Sequence, residues 1–361
     1  MRTLLLATAA SLSVPAQPAP PLVANARAML AWMPGEVRCA GAVVLATPMR
    51  RPWTSLGWAG TTSKPLTYRF AVTASGRTTG ISRQGGKEYM PFSDDVAPSL
   101  AATRFAVGAA HESCVITYVP RLTSLAETPV ADLISYTITP LSGALPEEGW
   151  ARIRTAGNCT DAPRPEPLLT ALPNFRALPG TPGVKDWSLV GYDLDIRGRP
   201  ARVHVVAGTT NTSLDQASVE AMKASRFTAG TARHGCRYPY WRTPTTLAPP
   251  LIPEEKAVRP AGATCPSQHD WSLYPTLRFP EAYQRRAIEG WAIVVYDVAP
   301  WGEVGNAHVI ASEPTEDFGT QALTLIRSAK VPTTQGLIGC VDRVRFKMPE
   351  TGTAQAAVSA S

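Results

Sequence analysis

The chain has 361 residues, 44% of them hydrophobic, enough apolar material for roughly two or three folded cores. Lys and Arg number 35 against 28 Asp and Glu, a net charge of +7. The bases are scattered, without the Lys/Arg runs or aromatic–basic interleaving of a nucleic-acid groove, so no nucleic acid is expected as a partner. Such a surface favours acidic partners or anionic headgroups only weakly.

In chain order, Arg2 and a short apolar run over 4–14 precede Val14, Pro15 and Ala16, which have the small-residue pattern of a signal-peptide cleavage site. The reading is a signal peptide over 1–16, export to the periplasm, and no stable membrane insertion afterwards. The run is about half the ~20 residues a membrane-spanning helix needs. The competing reading is an uncleaved N-terminus anchored to the inner membrane.

Six cysteines follow: Cys39, Cys114, Cys159, Cys236, Cys265 and Cys340. Taken in order as pairs, their members lie 75, 77 and 75 residues apart. Inside each pair a glycine, Gly76, Gly198 or Gly302, stands 38 residues before the second cysteine. Other positions align on these glycines. Six residues earlier stand Phe70, Tyr192 and Tyr296, and four earlier Val72, Leu194 and Val298. Downstream, Arg104–Phe105, Arg226–Phe227 and Lys330–Val331 also coincide. Equal spacing of this kind is the mark of a repeat.

Each copy reads as the same object. The stretches 68–73, 191–196 and 293–298 have the β-branched and aromatic content of strands. Turns carrying the glycines follow, then a second strand, as at 305–310. The apolar period then lengthens to that of a helix. Phe318, Ala322, Leu325, Ile326 and Ala329 share a face, as do Leu214, Ala221 and Met222, and Phe92, Val96 and Leu100. A closing strand runs over 114–119, 236–241 and 341–346. The expectation is an α+β fold of three modules, each a β-β-α-β antiparallel sheet with a helix on one face.

The expected organisation is module 1 at 27–120, a linker at 121–154 and module 2 at 155–242. A Pro-rich linker at 243–260, module 3 at 261–349 and a disordered tail at 350–361 complete it. Residues 133–138 are an additional strand candidate within the first linker. Sequence alone leaves the pairing of six cysteines open. The repeat selects one bridge per module: Cys39–Cys114, Cys159–Cys236 and Cys265–Cys340. Closing loops of this length is worth about 4 to 5 kcal/mol per module in the chain-entropy model. Metal or redox chemistry would want CxxC pairs or clustered His and Cys, which are absent, and no cofactor is implied.

In the third copy, Phe279–Pro280, Ala282 and the bases Arg285 and Arg286 lead through Gly290 into the strand residues ending at Val298. This arrangement resembles the opening of a TonB C-terminal domain. Residues 213–227 of the second copy are similar to that family's middle part, while the first copy shares only spacing and turn. The resemblance is strongest over 275–348, weaker over 187–242 and weakest over 66–120. It implies binding of an extended peptide from an outer-membrane receptor along a sheet edge, and coupling to inner-membrane energy. The short leader, three modules and paired cysteines depart from that pattern, which puts the energy coupling in doubt.

Strand addition requires unpaired backbone groups on an edge. The candidate partner-binding edge is Val341, Asp342, Arg343, Val344, Arg345, Phe346 and Lys347. Its alternation puts Val341, Arg343, Arg345 and Lys347 on one face. Pro239 lacks the amide hydrogen of a ladder and marks the corresponding strand of module 2 as an edge or a bulge.

No nucleophile elbow, zinc-protease helix or phosphate-binding loop occurs in the sequence. His204 and His308 occupy equivalent strand positions, where module 1 has Ser82, so they read as structural. The acid pairs Glu147–Glu148 and Glu254–Glu255 read as solvated loops. Trp53, Trp58, Trp150, Trp187, Trp271 and Trp291 read as core packing beside the bridges. The function expected is therefore non-enzymatic, the binding of an envelope protein or extended peptide. The alternative is a structural or inhibitory envelope protein whose modules pack on each other.

Overall fold

A computed structural model describes residues 26–86, 88–154, 157–267, 270–272 and 276–349. The leader at 1–16, the tail at 350–361 and His269 lie outside the described residues. The chain is α+β, with three disulfide-bonded segments that each hold several strands and a helix.

The first segment holds β1 (Arg27–Pro34), β2 (Arg38–Cys39), β3 (Ala42–Val43), β4 (Ser55–Trp58), β5 (Leu66–Val72), β6 (Thr78–Arg83), α1 (Val96–Ala102) and β7 (His111–Ser124). These strands form one seven-stranded sheet in which β5 pairs with both β6 and β7. A strict β-β-α-β order therefore fails here: four strands precede β5. The physical reason lies in β1, whose Ala28, Met29, Leu30, Ala31 and Trp32 are all buried. A run this apolar needs cover on both faces, and antiparallel pairing beside β7 and β4 supplies its backbone partners.

Two helices follow, α2 (Val130–Ile138) and α3 (Glu147–Arg154). The strand expected over 133–138 is thus the C-terminal part of a helix. Leu133, Ile134, Tyr136 and Ile138 are buried against Met29 and Leu56 of the first sheet and Trp187 and Leu189 of the second. Contacts on both sides outweigh the β propensity of this run. Glu147 and Glu148 open α3 rather than lying in a loop.

The second segment holds β8 (Pro167–Leu169), β9 (Trp187–Leu194), β10 (Pro200–Gly208), α4 (Thr212–Ala224), β11 (Arg226–Phe227) and β12 (Arg233–Trp241). Its main sheet has the order β10-β9-β12, and β11 pairs separately with β8. After a single helical turn, α5 (Glu255–Val258), the third segment holds α6 (Glu281–Arg285), β13 (Gly290–Val298), β14 (Val304–Glu313), α7 (Glu316–Arg327) and β15 (Leu337–Phe346). Its sheet order is β14-β13-β15. Ala329, placed on the helical face by the sequence pattern, lies past the end of α7 but is buried. Phe92 lies before α1 with a positive φ of 60°, so it is not part of that helix.

The three turn glycines occupy like surroundings. Gly76, Gly198 and Gly302 have φ of 74°, 70° and 90°. The backbone carbonyl of each accepts from the N–H of Phe105, Phe227 or Val331 at 2.9, 2.9 and 3.0 Å. A Cβ at these glycines would stand 2.2, 2.1 and 2.3 Å from those residues' carbonyl oxygens. Neither the dihedral nor the space tolerates a side chain. Four residues on, Gly80, Arg202 and Asn306 all have positive φ, as do Ser113, Gly235 and Gly339 just before the second cysteines.

The segments are not beads on a string. One apolar core runs through the first and third, joining Tyr68, Leu100, Phe105 and Tyr118 to Tyr283, Tyr296, Phe318 and Phe346. The Pro-rich stretch after β12 takes part as well. Leu247 exchanges backbone hydrogen bonds with Ala287 and Glu289, and Ile252 and Val258 pack on Trp291, Ile293 and Val295. That cover explains why β13 is buried on both faces.

Candidate functional site

The closing strands of the three segments differ most in what lies along their outer edges. In β7, Pro34 to Ala28 pair with Tyr118 to Ser124, and Arg38 and Cys39 pair with Val115 and Cys114. The chain's own β1 and β2 thus fill that edge. β12 ends its sheet, and Pro239 stands opposite Leu189 within it. Its outer side is partly met by Asn158, whose N–H donates to His234 O at 3.2 Å, and the strand's own Arg237 reaches out to Ile153 O at 2.9 Å.

β15 is the terminal strand of the third sheet and pairs inward with β13, Gly290 opposite Phe346 through Tyr296 opposite Cys340. Its first residues are tied from outside: the amides of Thr264 and Cys265 donate to Ile338 O at 2.9 and 3.2 Å. From Val341 onward no strand among the described residues pairs with its outer edge.

The candidate residues divide by face. Val341 and Phe346 are buried, Asp342 and Val344 half-buried, and Arg343, Arg345 and Lys347 exposed, Lys347 lying just past the strand's end. Phe346 anchors the inner side in an aromatic cluster with Phe279 and Phe318, ring centroids 5.9 and 5.0 Å away. Asp342 accepts the Tyr296 hydroxyl at 2.6 Å. Burial, reinforced by the Asp342 charge, raises the Tyr296 hydroxyl well above the usual tyrosine range, so it stays a donor. Arg343 reaches Pro253 O at 3.4 Å. The three exposed bases thus make a cationic row beside an edge whose register is held from within.

Asp297 of β13 holds the start of this strand. It accepts from Asn306 Nδ2 at 2.7 Å and from the Gly339 amide at 2.9 Å, and those bonds lower its pKa, the Asn306 bond most. Asp193 takes the same place in module 2, accepting from the Gly235 amide at 2.9 Å and pairing with Arg202. Module 1 has Ala71 there.

Other residues singled out in the sequence stand apart from this edge. His204 and His308 are exposed, each ring Nδ1 within hydrogen-bond distance of the carbonyl two residues back. Trp187 and Trp291 are buried, whereas Trp58 and Trp150 are exposed, so core packing does not describe all the tryptophans. No group of three or more His, Cys, Asp or Glu side chains among the described residues could hold a metal ion. No helix among them is long and apolar enough to cross a membrane. Sequence reasoning missed the occupied edge of β7. The one signal for it was the unbroken apolar run of β1.

The fold and edge define a disulfide-clamped repeat of small α+β segments, the last presenting a partly open sheet edge. Residues 275–348 match, at family level, the family described as Gram-negative bacterial TonB protein C-terminal. No curated protein matches the chain. Among solved structures it is similar to the solution NMR structure of the Pseudomonas aeruginosa TonB CTD, at 18% identity and a TM-score of 0.22, over 25% of this chain and 98% of that one.

Proposed function

We propose that the protein is a non-catalytic component of the periplasm that binds an extended segment of an envelope partner, such as an outer-membrane receptor, by strand addition to β15. The observation that carries this reading is the contrast among the closing strands. The outer edge of β7 is filled by the chain itself, β12 carries a proline, and the outer edge of β15 has no strand partner among the described residues from Val341 onward. Main-chain hydrogen bonds would supply affinity, and the side chains flanking the edge would supply preference. Arg343, Arg345 and Lys347 favour an acidic segment, and their contribution would weaken with salt. Three disulfides suit an oxidising compartment. The family match over 275–348 agrees with an envelope partner.

The test is titration of the full chain with extended acidic peptides, followed by amide chemical shifts. Expected are shifts concentrated on β15 and a several-fold loss of affinity in the Arg343→Glu/Arg345→Glu variant. Shifts confined to β10 or β14 would reject the assignment to this edge.

A second reading has its own support. β6 of the first segment is docked on the third: Ile81 N–H donates to Pro314 O at 3.0 Å, and the amides of Gly80 and Arg83 donate to Glu313 and Glu316 at 2.9 and 2.8 Å. Segments that use their edges on each other suit a structural or inhibitory envelope protein. Absence of any peptide binding at β15 would favour it.

A further inference from the structure

A cleft of about 310 Å³ opens where the 48–54 stretch of the first segment meets α2 and the approach to β9. Four cations line it, Arg50, Arg51, Lys185 and Arg286, against one lining carboxylate, Asp132. Two of the four are already paired. Arg51 contacts Asp132 at 3.2 Å, and Arg286 forks onto the buried Asp95 at 2.5 and 2.6 Å.

Arg50 and Lys185 differ. Among the described residues the Arg50 side chain has no hydrogen bond and no ion pair, and its buried Nε–H has no acceptor. Lys185 donates to Ile138 O at 2.8 Å and sits 4.6 Å from the centre of the Trp241 ring, contacts that neutralise no charge. The nearby Asp186 is buried and already committed, with Oδ2 accepting from the Thr181 amide and Asn211 Nδ2, and Oδ1 from the Thr209 hydroxyl. Burial lowers the pKa of both Arg50 and Lys185. For Arg50 the Asp186 charge opposes this and the Arg286 charge adds to it. An orphaned guanidinium N–H and two half-desolvated cations with no ion-pair partner among the described residues are costly unless a ligand completes them.

We infer that this cleft binds a phosphate group, with the Arg50 guanidinium and the Lys185 ammonium as its charged donors and the Ser135 hydroxyl on the same lining. An arginine fork matches phosphate oxygens in pairs, and an ammonium adds a point charge. Phosphate, with more acceptor oxygens and a charge of about −1.5 to −2, matches two cations arriving from separate segments better than a singly charged carboxylate does. The inference is independent of the β15 edge.

The experiment is calorimetric titration of the full chain with inorganic phosphate, with acetate as the competing anion. Expected is saturable binding that weakens about tenfold in Arg50→Gln and several-fold in Lys185→Gln, and is unchanged in Arg176→Gln, an exposed base elsewhere. Circular dichroism checks that each variant is folded. If Arg50→Gln does not fold, the guanidinium NMR signals of Arg50 in the unaltered protein are the readout, and they should shift with phosphate. No saturable binding, binding unchanged in Arg50→Gln, unmoved Arg50 signals, or equal displacement by acetate would each overturn the inference. Vesicles of phosphatidylglycerol distinguish the source. Arg50-dependent co-sedimentation identifies a lipid headgroup, and its absence together with phosphate binding identifies a soluble phosphate.

Discussion

Arg286 is the residue on which the segments converge. Its side chain is 2% exposed, forks onto Asp95, donates to Gly183 O and Arg51 O, and lies 4.4 Å from the Trp53 ring centre. Every one of those partners lies outside the third segment. Removing one member of a buried pair leaves an uncompensated charge, so Arg286→Met should cost about 3 to 5 kcal/mol. Converting both, Arg286→Met with Asp95→Leu, should recover most of that loss in urea unfolding. A double variant as unstable as the single one would mean that the pair's other contacts dominate, those of Arg286 with Gly183 and Arg51 and the bond from the Trp53 amide to Asp95. The turn glycines make a separate case at the same scale. Gly302→Ala would place a Cβ 2.3 Å from Val331 O at a φ of 90°. It should destabilise by at least about 2 kcal/mol. Gly305→Ala, with nothing within 4 Å of its Cβ, should stay within about 0.5 kcal/mol when its unfolding midpoint is measured in parallel.

At the scale of elements, the bonds from Asn306 and Gly339 to Asp297 fasten β13 to the bulge of β14 and to the start of β15. Because the folded-state pKa of Asp297 is depressed, its stabilising contribution is present above the ordinary carboxylate pKa of about 4. It is lost as the pH falls through the lower folded value. The difference in urea midpoint between the unaltered protein and Asp297→Asn should therefore be constant above about pH 5 and shrink below pH 4. A difference that grows on acidification would contradict the assignment. Such staples belong to the part of the structure legible in the sequence, because turn glycine, second cysteine and strand aromatic keep the same separations in all three copies. The rest is not local. β1 reads as an apolar run, but its place beside β7 depends on residues about 90 positions away. Likewise the 133–138 run has strand composition, and only its burial between two sheets makes it helical. The candidate edge is partly legible for the same reason: alternation along 341–347 is local, whereas the lack of a neighbouring strand among the described residues depends on where every other segment goes.

For the whole molecule, the shared core sets which parts unfold together. The first and third segments are joined by one apolar cluster, the Arg286–Asp95 pair and the hydrogen bonds of β6 to 313–316. The second segment has its own cluster of Val190, Tyr192, Leu194, Ala221, Met222, Cys236 and Tyr240. It meets the first through a cluster around α2 that is smaller than the core shared by the first and third. Cooperative units follow contiguous buried contact, not sequence order. The first and third segments should therefore open as one unit although the second lies between them in the chain. Hydrogen exchange should give β5 and β13 amides opening free energies that agree within about 1 kcal/mol. Replacing the Cys159–Cys236 bridge with two serines should lower protection of β9 and β12 by roughly 2 to 5 kcal/mol, since the bridge acts chiefly by restricting the unfolded loop it closes. Protection in β5 and β13 should change much less. An equal loss across all three sheets would mean that the α2 contacts couple the second segment as tightly as the shared core couples the other two, leaving a single unfolding unit.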